Sequence, residues 1–135
     1  MRTKSFLFNS YENFGIFVLR VSVGSLMLLG HGMPKLMNYY NNYDSFPDPL
    51  GIGSDVSFFA TIFSEVVCSA ALILGLFTRL AVIPLIATML VAILVIHSDD
   101  PWDKKEFAIM YLLPYITLYF TGSGEYSMDK GVFDR

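Results

Sequence analysis

One apolar stretch, residues 58–77, constrains the fold of this chain more than any other feature. The run FFATIFSEVVCSAALILGLF is twenty residues long and carries a single charge, Glu65. A helix of about 20 apolar residues crosses the hydrocarbon core of a bilayer. A carboxylate inside such a helix costs roughly 3 kcal/mol, so it should pair with a cation, stay protonated or border a wet cavity. Each of these alternatives makes Glu65 a candidate functional residue.

The composition of the whole chain is typical of a membrane protein. Hydrophobic residues make up 54% of the 135 residues and charged residues only 16%, whereas soluble domains carry roughly 25% charge. The charges lie near the N-terminus, in two loops and in the tail, and they leave four apolar blocks, residues 14–33, 58–77, 80–96 and 107–121. We therefore predict an all-α fold, an integral membrane four-helix bundle with antiparallel helices, in a single domain spanning residues 1–135.

Two other classes of protein are disfavoured by the same pattern. Helices that are apolar on every side need lipid around them, and a chain of this length could not bury all four in a soluble core. The net charge of −3 is spread over the loops without a basic stripe, so no nucleic-acid partner is expected.

The topology follows from the flanking charges. Residues 1–13 are not expected to be a cleaved signal peptide, because polar residues interrupt their apolar run. Lys and Arg near the helix ends favour both termini in the cytoplasm, by a small margin. Pro34 predicts an end or a kink of the first helix near Gly32 and Met33. The long connection after it, residues 36–57, is either a lid over the bundle or an irregular connector on the headgroups.

The first helix carries a polar face that could serve Glu65. Arg20, His31 and Lys35 fall on this face at helical spacing, and Arg20 and His31 are the partners that we predict for Glu65. Counting depth along the helices predicts one polar pocket in the outer half of the bundle. Its predicted members are Glu65, His31, Tyr111 and Tyr115, with Arg20 beneath, Thr61 above and Lys35 at the end of the first helix. The alternative is a structural ion pair that locks two helices together without chemistry.

The remaining polar residues give weaker signals. The single cysteine, Cys68, cannot form an intramolecular disulfide. A solvated loop explains His97, Asp99, Asp100 and Asp103 more simply than a divalent ion does, so no metal site is predicted.

Three blocks of sequence resemble a known family. The runs LRVSVGSLMLLGHGMPKL, SEVVCSAALILGLFTRLAVIPLIATMLVAILVIH and TGSGEYSMD resemble, in this order, the DoxX family of small bacterial membrane proteins. The resemblance covers residues 14–129 and implies a four-helix membrane bundle in the bacterial plasma (inner) membrane. The residues that match the family's blocks are Arg20, His31, Gly32, Lys35, Glu65, Gly75, Thr78, Arg79, Gly122, Gly124, Tyr126 and Asp129.

The resemblance also implies a redox role. Some relatives look like membrane subunits of thiosulfate:quinone oxidoreductase, and others are associated with redox-defence complexes. In such a scheme Glu65 or His31 exchanges protons with a quinol, and Tyr115 donates to a quinone carbonyl. No intrinsic cofactor is expected, so a soluble oxidoreductase partner would handle the electrons, and a homo-oligomer is plausible. The alternatives are a non-enzymatic scaffold or assembly factor and a small-molecule carrier.

Overall fold

The computed structural model describes the backbone of residues 2–133 and the side chains of residues 9–133. All secondary-structure elements of the described residues are helices, and these residues form no strand. Four long helices and a short one follow each other along the chain: α1 (2–39), α2 (Ser54–Leu74), α3 (Thr78–Ile96), α4 (Trp102–Thr121) and α5 (Met128–Phe133). The predicted all-α class is confirmed.

Helix α1 continues beyond Pro34, where the sequence predicted an end or a kink. It consists of α-helical Arg2–Met27, a π-helical turn over Leu28–Gly32, and α-helical Met33–Tyr39. A proline inside a regular α-helix lacks a donor and collides with the carbonyl four residues earlier. The turn before Pro34 is widened, with the Met33 N–H bonded to the Leu28 carbonyl. The helix therefore passes Pro34 and reaches Tyr39.

Helices α2 and α3 form an antiparallel hairpin around a left-handed turn. Gly75 has φ +71°, and the bonds from its N–H to Leu72 O and from Leu76 N–H to Ala71 O form a Schellman motif. This motif ends α2 at Leu74, three residues before the predicted end at residue 77. A second π turn, Phe63–Cys68, lies in the middle of α2.

Helix α4 begins earlier than residue 107, where its apolar block starts. Its first turn contains charged residues, and Asp103 there is favourable beside the positive end of the helix dipole. The helix packs mainly against α3. It is 20 residues long and therefore extends about 30 Å.

The bundle is apolar on its outside as well as in its core. The core contains Met27, Leu72, Leu85 and Leu118, none of them more than 1% exposed. Large apolar side chains also cover the outer surface, for example Leu94 at 69% exposure. Among the described residues, three helical segments have the length and composition of membrane spans: Asn9–Tyr39, Ser54–Leu74 and Thr78–Ile96. Helix α4 is long enough to be a fourth.

Candidate functional site

An ion pair between Glu65 and Lys35 lies at the centre of the bundle's polar site. The Lys35 Nζ is 2.7 Å from the Glu65 Oε1. The Glu65 side chain is 2% exposed and that of Lys35 is 37% exposed, so the acid is deep and the base reaches toward the surface. The predicted partners of Glu65 were Arg20 and His31, and the structure instead gives this role to Lys35. The reason is the continuation of α1 past Pro34, which keeps Lys35 on a helix facing α2.

The two helices that carry the pair touch backbone to backbone. A Cβ on Gly32 would lie 2.8 Å from the Glu65 carbonyl carbon and 2.9 Å from Val66 Cγ2. Only a residue without a side chain allows this approach. The π turns of α1 and α2 also face each other here, and π turns inside α-helices occur frequently at functional sites. The local backbone thus brings Lys35 within reach of Glu65.

A cavity of about 690 Å³ opens beside the ion pair. It is bounded by all four long helices and, at one end, by the connector, which we define as residues 40–53. Its volume is within the range of about 300–1,000 Å³ that small-molecule sites usually have. Its walls are mostly apolar. The polar residues that line it include His31, Lys35, Thr61, Ser64, Glu65 and Tyr111.

Two predicted pocket residues form an aromatic edge of this cavity. The rings of His31 and Tyr111 meet edge to face with their centroids 5.4 Å apart. Tyr111 also stacks on Tyr115, with a centroid distance of 6.3 Å. Tyr115 itself is fully buried in the core and does not line the cavity. The ring that a ligand can meet is therefore that of Tyr111, rather than that of Tyr115.

Arg20 lies away from the cavity, at the opposite end of α2. Its Nη1 donates to the carbonyls of Leu72 and Ile73, both at 2.8 Å, and its Nη2 donates to the Tyr126 carbonyl at 2.6 Å. The last carbonyls of a helix lack partners within it and carry partial negative charge. Arg20 donates to these carbonyls at the end of α2 and does not extend along the bundle axis toward Glu65. Arg20 therefore does not lie beneath the pocket, where the sequence predicted it.

The connector is held against the cavity by an aspartate and by aromatic contacts. Asp48 accepts hydrogen bonds from the Gly53 N–H and the Ser57 hydroxyl, both at 2.8 Å, and from the Ile52 N–H at 3.0 Å. These hydrogen bonds hold the pKa of the Asp48 carboxyl below its usual range. The bond from Gly53 has the largest effect, and the bond from Ser57 has the next largest. Phe46 packs edge to face on Phe58, and the resulting cover closes one end of the site.

The loop after α3 forms a charged rim. His97 Nδ1 is 2.6 Å from Asp100 Oδ2, and this hydrogen bond lowers the pKa of the Asp100 carboxyl. His97 and Lys104 both line the cavity near this loop. Among the side chains of residues 9–133, no three His, Cys, Asp or Glu are placed to ligate a metal ion together.

Three polar contacts were not anticipated from the sequence. The Asp129 carboxylate accepts the N–H groups of Phe77 and Thr78 and so caps α3 from the C-terminal segment. Thr88 donates to Ser64 across the α2–α3 contact, beside the cavity. Asp48 and its turn are the third. An aspartate followed by proline and glycines is a signal that predicts such a turn, whereas Asp129 lies 51 residues from its nearer partner and leaves no local pattern.

Comparison with known proteins agrees with this architecture. A family model described as DoxX matches residues 15–98, which is more than half of the chain. The chain belongs to the DoxX family. The DoxX match includes both Lys35 and Glu65 and ends just after α3, so α4 and the terminal block lie outside it.

A distant relative is a membrane protein. An uncharacterized membrane protein of Mycobacterium tuberculosis is 29% identical over 143 residues, an alignment that covers 89% of this DoxX chain and 82% of that protein. No solved structure matches the chain. With its apolar helices and a membrane protein as relative, this DoxX chain is a membrane protein.

Proposed function

We propose that this chain is the membrane subunit of a redox system, in the bacterial plasma membrane, and that its cavity binds the ring of a quinone. The observation that carries the proposal is the cavity of about 690 Å³, apolar on most of its walls, with the Glu65–Lys35 pair in one wall. Apolar cavities with a few convergent polar groups are the usual sites of small ligands. A buried acid inside a membrane-spanning helix is by default a functional group.

The position of the cavity suits a ligand that comes from the bilayer. Four apolar helices surround it, and the ring edge formed by His31 and Tyr111 offers an aromatic surface against which a flat ring can pack. A quinone has the matching chemistry, because it is an apolar ring with two oxygens that form hydrogen bonds. The Lys35 ammonium can donate to a quinone carbonyl, and the Glu65 carboxylate can accept from a hydroxyl of the reduced ring.

Reduction of a quinone consumes two electrons and two protons. In this proposal Glu65 and His31 exchange the protons, and Lys35, at 37% exposure, connects the buried acid with the surface. The electrons come from a soluble oxidoreductase partner, since the chain has a single cysteine and cannot cycle a dithiol by itself. The connector, which closes one end of the cavity, is the surface on which this partner would dock.

A photoreactive azidoquinone, added to the protein in lipid nanodiscs, tests the proposal. Illumination should attach the probe to peptides that line the cavity, and an excess of duroquinone should compete with it. Ala92→Phe fills the cavity from α3 and should reduce labelling at least tenfold. Leu94→Phe, two residues further along and 69% exposed to lipid, is the matched control and should leave labelling unchanged. Labelling that is confined to the outer surface, or equal in both variants, refutes the proposal.

The non-enzymatic scaffold remains the competing function, because the Arg20 contacts and the ion pair could both serve only to hold helices together. Glu65→Gln separates the two functions, with Glu106→Gln on the exposed start of α4 as control. If folded Glu65→Gln protein accumulates normally and quinone-linked redox activity of the membranes falls, the acid has a chemical role. A loss of folded protein instead supports the scaffold. Flux into proteoliposomes would indicate a carrier.

A further inference from the structure

The cavity extends beyond the inside of the bundle, onto the outer faces of α2 and α3. Ala60 and Phe63 of α2 and Ala87 of α3 line the cavity, and all three residues are exposed. Exposed side chains recur along α3 at the three- and four-residue spacing of one helix face: Leu80, Ile83, Ala87, Leu90 and Leu94. Ala87 therefore belongs to the face that α3 turns away from the bundle.

Helices α2 and α3 leave a gap at this place. They pack against each other from their turn up to the hydrogen bond of 2.8 Å that Thr88 donates to Ser64. The start of α2, Ser54–Ile62, makes little contact with α3. Thirteen residues separate neither wall from the cavity here, because Thir61 and Val91 both line it. The cavity thus reaches the outer face between the two helices.

Discussion

The two partners of the Glu65–Lys35 pair should contribute unequally to stability. Lys35→Met leaves a carboxylate that is 2% exposed with no donor on either oxygen, and a buried charge that loses its partner costs about 3–5 kcal/mol. We expect about 3 kcal/mol. Glu65→Met leaves an ammonium that is already 37% exposed and can reach water by extending its side chain, so about 1 kcal/mol is expected.

The double variant Lys35→Met/Glu65→Met tests the reasoning behind this asymmetry. Replacement of a buried ion pair by apolar side chains is often nearly neutral, so the double variant should unfold within about 1 kcal/mol of the wild type. The free energies of unfolding are measured by SDS titration in mixed micelles, followed by far-ultraviolet circular dichroism. Leu94→Met, on the lipid-facing surface, should change stability by less than about 0.5 kcal/mol.

A thermodynamic cycle over these variants gives the coupling of the two residues, expected at about 3 kcal/mol. Two results would refute the reasoning. Equal costs of the two single variants would show that the difference in burial does not decide the penalty. A double variant that costs the sum of the single ones would show that the two residues do not stabilise each other.

Three further outcomes follow from contacts outside the cavity. Gly75→Ala should cost at least about 2 kcal/mol, because φ is +71° and a Cβ would collide with the Arg20 guanidinium, whereas Gly15→Ala, with open space around it, should be neutral or stabilising in the same SDS titration. Arg20→Lys should cost about 3 kcal/mol, since an ammonium cannot reproduce the fork that bonds three carbonyls. The lowered pKa of Asp48 means that its contribution to stability is present above its unfolded value of about 3.9 and is lost as the pH falls through its folded value. Protection of the Gly53 amide from hydrogen exchange should fall over this acidic range, and Asp48→Asn should lower it at neutral pH.

The sequence alone predicted the class of the fold and the importance of one acid. Apolar runs of helical length with charges only at their ends leave few structures other than a bundle of membrane helices. A single carboxylate inside such a run must be compensated, and this requirement singles out Glu65 without any coordinates. His31, Thr61 and Tyr111 were placed near it by counting residues along antiparallel helices, and they line the same cavity. Their chemical roles remain predictions.

The partners of the charges were decided only by the tertiary structure. Pro34 suggested an end of α1, yet the π turn before it lets the helix continue, and this places Lys35 rather than His31 against Glu65. Arg20 turned to backbone carbonyls that are 52 to 106 residues away in the chain. Every residue has a carbonyl, so the sequence does not mark which of them will be left without a partner at a helix end. That depends on how the helices pack together.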